Sequence, residues 1–101
     1  MVKFDLYDDR GHIKKSGIQR TGLQINIYDA SDIIFVNEGS VAWEGGLRGG
    51  YKIISVNGIP IYALGYFGIY ELLAEDSITE YQFLVLTTDG DTEEITVSIP
   101  S

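Results

Sequence analysis

Two turn dipeptides, each preceded by a run rich in β-branched and aromatic residues, constrain the fold of this chain more than any other feature. Asn57-Gly58 follows Tyr51–Val56, and Asp89-Gly90 follows Tyr81–Thr87. Asn-Gly and Asp-Gly adopt the tight turns that join neighbouring antiparallel strands, so each dipeptide predicts a β-hairpin. The returning strand of the second hairpin is predicted over Glu93–Ile99, where apolar side chains alternate. The second half of the chain is therefore expected to contain antiparallel sheet.

Further strands are predicted around these hairpins. Gly22–Tyr28 alternates apolar and polar residues, which is the period of a strand with one buried face. Its apolar members, expected on the same face, are Leu23, Ile25 and Ile27. Asp29–Asp32 is expected to break this strand before a more buried one over Ile33–Val36. A proline limits the return from the first turn to a short strand over Ile59–Ile61, because it cannot donate to a sheet.

Two helices are predicted, one short and one long. Ser40 is a suitable N-cap for a short helix over Val41–Glu44, which Gly45-Gly46 ends. The long helix is predicted over Leu64–Glu75, where apolar side chains recur every three or four residues. These side chains are Tyr66, Ile69, Tyr70 and Leu73. The pattern indicates the α+β class, as a small, partly open barrel or sandwich of five to six mostly antiparallel strands.

Length and charge limit the domain organisation and the partners. A chain of 101 residues fits one domain over 20–101, preceded by an N-terminal strand and loop or the remnant of an upstream domain over 1–19. A weak strand is predicted there over Val2–Tyr7. Net charge is −8, and residues 31–101 carry eleven acidic side chains against two basic ones. An acidic surface repels phosphate, and no apolar run approaches the roughly 20 residues that span a bilayer, so neither nucleic acid nor membrane insertion is expected.

The residues that could carry chemistry form no catalytic or metal-binding constellation. The chain has no cysteine, and His12 is its only histidine. One histidine in a predicted loop cannot supply the several ligands of a zinc site, nor does it fit a serine-protease triad. Asp89 and Asp91 fall in a hairpin turn rather than in a cleft. The sequence therefore predicts a protein that is not an enzyme and that holds no metal and no cofactor.

The stretch Val36–Gly58 carries a more specific pattern. It reads V-N-E-G-S-V-A-W-E-G-G-L-R-G-G-Y-K-I-I-S-V-N-G, where PDZ domains typically read V-x-x-G-S-P-A-x-x-A-G-L-x-x-G-D-x-I-x-x-V-N-G. The matches in register include Gly39, Ser40, Ala42, Gly46, Leu47, Gly49, Ile53, Val56, Asn57 and Gly58. Val41 stands where the family has proline, and Tyr51 where it has aspartate. Over roughly residues 20–99 the sequence thus resembles a PDZ domain, above all the bacterial, protease-associated type.

This resemblance implies a peptide-binding groove between the strand over 23–28 and the helix over 64–75. Gly22-Leu23-Gln24-Ile25 aligns with the loop whose backbone amides hold a ligand's terminal carboxylate in that family. Because Gln24 replaces a glycine, two classes of partner stay open: the C-termini of proteins or peptides, and internal extended segments with apolar side chains. Either would add a strand alongside the domain's own strand, which is the mode called β-augmentation.

The peptide-binding residues implied by the resemblance are Gly22, Leu23, Gln24, Ile25, Asn26, Ile27, Tyr66, Tyr70 and Leu73. Tyr66 would occupy the helix position that sets ligand preference, which favours apolar ligand side chains. Arg20 or Lys15 would support a bound carboxylate through water. Simpler interpretations stay open: the strand residues and both tyrosines pack as ordinary core, and Arg20 is an ordinary solvated side chain.

The resemblance also implies a context. Domains of this type serve as regulatory or substrate-recognition parts of bacterial proteases, among them envelope serine proteases, carboxy-terminal processing proteases and retropepsin-like aspartic proteases. The periplasm or cell envelope would then be the compartment. The alternative is a structural docking or dimerisation domain whose groove is occupied in cis. Since an edge strand is a ready template for pairing, either a monomer or a weak homodimer is expected.

Overall fold

The computed structural model of the protein describes residues 16–100. The predicted strand over Val2–Tyr7, His12 and Lys15 lie outside the described residues. The elements, in sequence order, are α1 (Gly17–Thr21), β1 (Leu23–Asn26), β2 (Asp29–Val36), α2 (Val41–Gly45), β3 (Lys52–Val56), β4 (Ile59–Pro60), α3 (Ile61–Leu73), β5 (Glu80–Leu86) and β6 (Thr92–Ser98).

The strands form one antiparallel sheet in the order β1-β2-β3-β5-β6, with the short β4 paired to β3. The predicted α+β class is confirmed, with six strands, the expected short helix α2 and the expected long helix α3. Both turn dipeptides end strands as predicted. Asn57 takes a left-handed φ of 51°, and the Asp89-Gly90 turn is closed by a hydrogen bond from Thr87 N–H to Asp91 C=O.

The core follows from the alternation of side chains along the strands. On β5 the buried residues are Tyr81, Phe83 and Val85, and on β6 they are Ile95 and Val97, with the residues between them on the outer face. Ile69 and Leu73 of α3 complete this core from the other side. Each large apolar side chain that is fully buried contributes about 1.5–3 kcal/mol to folding, so this cluster fixes α3 against the sheet.

The β1–β2 pair differs from the strands predicted in this part of the sequence. β1 ends at Asn26 rather than Tyr28, and Asp29–Asp32 begins β2 instead of breaking it. The cause is local hydrogen bonding by short polar side chains. Asn26 Oδ1 accepts the Tyr28 N–H at 2.9 Å, and Asp29 Oδ1 accepts the Ser31 N–H at 3.1 Å. Ile27 therefore lies in the turn, 59% exposed, and does not share the buried face of the strand.

The long helix also differs from its prediction. α3 covers Ile61–Leu73 rather than Leu64–Glu75, and it is interrupted at Gly65, whose φ of 70° and ψ of 179° are not helical. This conformation is open to glycine and strained for other residues, so glycine permits the interruption. A short first turn therefore leads directly out of β4, and the part of α3 beyond Gly65 carries the residues that face β1.

A short helix that the sequence analysis missed precedes β1. Ser16 caps α1, because its Oγ accepts the Gln19 N–H at 3.1 Å while Gln19 Oε1 accepts the Ser16 N–H at 2.9 Å. α1 spans the predicted domain boundary between residues 19 and 20. The predicted start of α2 is confirmed, since Ser40 Oγ accepts the Trp43 N–H. None of the helices in residues 16–100 is long and apolar enough to cross a membrane.

Candidate functional site

A groove with a volume of about 460 Å³ lies where β1, an edge strand of the sheet, faces α3. Its walls combine strand, helix and turn residues: Ile18, Gln24, Ile25, Asn26, Ile27, Ile34, Tyr66 and Tyr70. The structure thus brings together six of the residues expected at a peptide site, which are Gln24, Ile25, Asn26, Ile27, Tyr66 and Tyr70. The lining is mainly apolar with a few polar atoms, as in most sites that bind organic ligands.

The floor of the groove contains one hydrogen bond between its two walls. The Ile25 N–H donates to the Tyr70 hydroxyl oxygen at 2.8 Å, across 45 residues of sequence. A backbone amide on the outer edge of an edge strand would otherwise be open to a ligand. In this structure the amide is engaged by a side chain of the same domain.

Tyr70 is held in place from two sides. A Cβ added to Gly17 would lie 2.9 Å from the Tyr70 carbonyl oxygen and 3.1 Å from its ring Cδ1, so α1 packs directly on this residue. On the other side the Tyr66 ring meets the Tyr70 ring edge-on, with 5.0 Å between centroids. Burial raises the pKa of the Tyr70 hydroxyl above its usual value near 10, although the Ile25 N–H acts in the opposite direction. The hydroxyl is therefore neutral at physiological pH and keeps one proton to donate.

The start of β1 is engaged in the same way. The Leu23 N–H donates to Thr21 Oγ1 at 3.2 Å, and the Gly22 N–H donates to the Ile18 carbonyl at 2.7 Å and so ends α1. Gly22 has a φ of 78°, and a Cβ there would overlap the Cβ and Oγ of Ser40. Only glycine fits this position. The segment Gly22–Ile25, which aligns with a carboxylate-binding loop, therefore forms a tight turn into β1. Its Leu23 and Ile25 amides both donate to hydroxyl groups of the same domain.

Arg20 does not line the groove, and the expectation that it is a solvated side chain is wrong. Its guanidinium donates to the Leu73 carbonyl at 2.8 Å, the Glu75 carbonyl at 2.5 Å and the Ile78 carbonyl at 2.8 Å, and to the Tyr81 hydroxyl at 3.2 Å. The last carbonyls of a helix have no partners within it, and a cation is favourable at that end. Arg20 therefore caps α3 and the loop that follows it.

Two other expected groove residues belong to the core. Leu23 and Leu73 have no exposed surface and lie within the buried cluster, as the simpler interpretation of Leu23 expected. Ile25 is only 3% exposed, yet it still forms part of the groove wall. Ile27 reaches the groove from the turn rather than from the strand face on which it was expected.

Ile18 and Ile34 line the groove and were missed by the sequence analysis. Ile18 lies on α1, which was itself missed, although the spacing Ser16-x-x-Gln19 ahead of Gly22 could have indicated that helix. Ile34 was expected in a more buried strand, but it is 55% exposed and lies at a register shift, where Gln24 pairs with Phe35 and Ile25 with Ile33. Thr21 was also missed, and a single buried threonine leaves no sequence signal.

The described part of the protein carries a net negative charge, although no acidic side chain lines the groove. Residues 16–100 hold twelve carboxylate side chains and three basic ones, a difference of −9. Each basic side chain has partners: Arg20 at the end of α3, Arg48 3.6 Å above the Trp43 ring, and Lys52 3.3 Å from Asp32. Within this described range no group of three or more histidine or acidic side chains is placed to hold a metal ion.

Comparisons with known proteins agree with this architecture at the level of the fold. No protein-family model matches the sequence, and no curated protein matches it. A crystal structure of a PDZ domain protein from Parabacteroides distasonis ATCC 8503 is similar, with a TM-score of 0.66 at 17% sequence identity. The similarity covers 78% of this protein and 19% of that one, so the similar region is about a fifth of the other protein's length. The protein therefore has a PDZ-like fold.

Proposed function

We propose that this domain binds an extended peptide segment in the groove between β1 and α3. The observation that carries the proposal is the groove itself: an apolar cleft beside an edge strand, with a volume of about 460 Å³. A segment lying along β1 would pair with the part of its edge that the Thr21 and Tyr70 hydroxyls leave uncovered, and alternate side chains would enter the cleft. Ile25, Ile27 and Tyr66 would then contact apolar ligand side chains.

Two matched variants test the proposal. Ile27→Asp places a charge in the groove at a position that is 59% exposed, so the fold should tolerate it. Ile54→Asp makes the same change on β3, at a position that is 39% exposed and does not line the groove. The probe is a pool of peptides of about ten residues with apolar residues at alternate positions, long enough to pass along β1. Binding is read from chemical-shift changes of the backbone amides.

We expect the wild-type domain and Ile54→Asp to bind the pool with similar affinity. Ile27→Asp should bind at least about tenfold more weakly, because an ionised carboxylate would replace the burial of an isoleucine side chain. The proposal fails if no shift changes occur at β1 and α3, or if both variants lose binding equally. A concentration-dependent dimer with β1 at its interface would support a docking and dimerisation role instead.

The proposal includes a role in a protease, as a regulatory or substrate-recognition part. Its support is the resemblance of Val36–Gly58 to the bacterial, protease-associated type, together with the similar solved structure, in which this fold is one part of a longer protein. In a protease that carries this domain, Ile27→Asp should slow cleavage of an unfolded protein substrate while cleavage of a short chromogenic peptide is unchanged. Equal rates for both substrates would contradict the role.

A further inference from the structure

The hydroxyl groups of Thr21 and Tyr70 engage two of the backbone amides in the segment that aligns with a carboxylate-binding loop. The Ile25 N–H donates to Tyr70 at 2.8 Å and the Leu23 N–H donates to Thr21 at 3.2 Å. A terminal carboxylate is held by several convergent backbone amides, which together form a concave anion site. With these two amides engaged, that concave site is not assembled.

The engaged amides do not become free through a simple side-chain rotation. Thr21 is 1% exposed, and its hydroxyl also donates to the Gly17 carbonyl. Tyr70 is enclosed by α1 at Gly17 and by the edge-on ring of Tyr66. Movement of Tyr70 would therefore require α1 to separate from α3.

The charges of the domain also oppose an anionic ligand group. In the described part of the protein, Arg20, Arg48 and Lys52 all contact other groups, and Arg20 is directed at the end of α3. Twelve carboxylates against these three cations give a negative field. Among residues 16–100, no cation lines the groove and the Leu23 and Ile25 amides are engaged, so a terminal carboxylate would enter that field without these groups to receive it.

We infer that Tyr70 makes this groove a receptor for internal extended segments rather than for C-termini. The inference rests on the proposed function and names its ligand class. The Tyr70 hydroxyl accepts the Ile25 N–H and keeps its own proton, so it presents a single donor to a ligand backbone carbonyl. A single donor is enough for one backbone carbonyl, whereas a terminal carboxylate is held by several convergent donors. Tyr70 thus determines specificity by covering the amide that would otherwise favour a carboxylate.

The test compares three proteins against one peptide pool prepared in two forms. The pool is the set of alternating apolar peptides described above, synthesised once with free C-termini and once with C-terminal amides. The proteins are the wild type, Tyr70→Phe, and Tyr62→Phe as a control that removes a hydroxyl of the same helix at a position that is 88% exposed and does not line the groove, so the acceptor of the Ile25 amide is kept. Hydrogen exchange of the Ile25 amide is measured in each protein without peptide.

The wild type and Tyr62→Phe should each bind the two forms of the pool with affinities that agree within about twofold. Tyr70→Phe should bind the free-carboxylate form about tenfold more tightly than the amidated form, since one charge-assisted hydrogen bond becomes available. The Ile25 amide should exchange more than about tenfold faster in Tyr70→Phe than in the wild type, while in Tyr62→Phe its rate stays unchanged.

A wild-type preference for the free-carboxylate form above about fivefold would overturn the inference, and this result does not depend on the variant folding. Equal exchange of the Ile25 amide in the wild type and Tyr70→Phe would also overturn it, whatever the peptides do. Absence of binding to either form by any protein would overturn the proposed function. The exchange data would then still show whether Tyr70 covers the amide, so the two failures are distinguishable.

Discussion

Replacement of Arg20 by methionine tests whether this side chain stabilises the C-terminal end of α3 or binds a ligand. Methionine keeps an unbranched apolar stem and removes every donor. The Leu73 and Ile78 carbonyls, both bonded by the guanidinium at 2.8 Å in partly buried surroundings, would lose a charged donor. At about 1.5 kcal/mol for each such bond, the expected loss is about 3 kcal/mol. The Glu75 carbonyl bond is exposed, so water replaces it at little cost.

The assay is equilibrium unfolding in urea. With a slope of about 1.5 kcal/mol per molar urea for a domain of this size, the midpoint should fall by about 2 M. Arg48→Met is the matched control, because its guanidinium bonds only the nearby Trp43 and Leu47 carbonyls and lies on the Trp43 ring. We expect it to cost about 1 kcal/mol.

Two results would refute the reasoning about Arg20. If Arg20→Met destabilises the domain no more than Arg48→Met, the contacts to the end of α3 contribute little. If Arg20→Met remains folded under native conditions but no longer binds the amidated peptide pool, the side chain acts in the groove. Arg20→Lys should fall between wild type and Arg20→Met, because one ammonium group cannot reproduce the two-sided geometry of a guanidinium.

Other positions give predictions of different kinds. Thr21→Val should lower the free energy of unfolding in urea by about 1–3 kcal/mol, because it leaves the buried Leu23 amide unpaired. Thr21→Ser keeps the hydroxyl and should lower it by less than half as much. Equal losses for the two variants would contradict the role of the hydroxyl. Gly22→Ala should lower the free energy of unfolding by more than about 3 kcal/mol or prevent folding, because the added Cβ would overlap Ser40. Gly90 has a similar φ of 89° but nothing within 4 Å of an added Cβ, so Gly90→Ala should lower it by only about 1 kcal/mol. Burial raises the pKa of both Tyr70 and Tyr81, so their contribution to stability is complete below the unfolded pKa near 10 and is lost as pH rises through the higher folded values. The urea midpoint should therefore fall between about pH 9 and about pH 11, and fall less in Tyr81→Phe; identical pH profiles would contradict this assignment.

Local patterns predicted the sheet well because hairpin turns and strand alternation are determined by neighbouring residues. Asn57-Gly58, Asp89-Gly90 and the Ser40 cap lie in the structure where the sequence placed them. The errors were also local in origin. Asn26 was predicted within the strand and Asp29 in the break after it, but the two side chains stabilise a tight turn that lets β2 begin at Asp29.

The roles of the groove residues could be predicted only in part. The resemblance to PDZ domains predicted Ile25 and Tyr70 on opposite walls of a groove, and both residues line the groove in the structure. The hydrogen bond between them joins residues 45 apart, and the contacts of Arg20 join residues 53 to 61 apart. Such contacts depend on how α1 packs on α3, and no period or motif in a single sequence encodes that packing. Leu23 and Leu73 show the same limit, since alternation indicates a buried face but does not say whether it meets a ligand or the core.

Each edge strand of the sheet is partly covered by groups of the same domain, which bears on how copies of the domain meet at high concentration. On β6, a Cβ added to Gly45 of α2 would lie 2.7 Å from the Thr96 carbonyl oxygen, so α2 lies directly against that strand. On β1, a strand of four residues, Thr21 and Tyr70 engage two of the amides. Aggregation through sheet edges needs a row of exposed backbone donors, and a high negative charge opposes close approach of copies. We expect the same two hydroxyls to oppose strand pairing between copies of the domain.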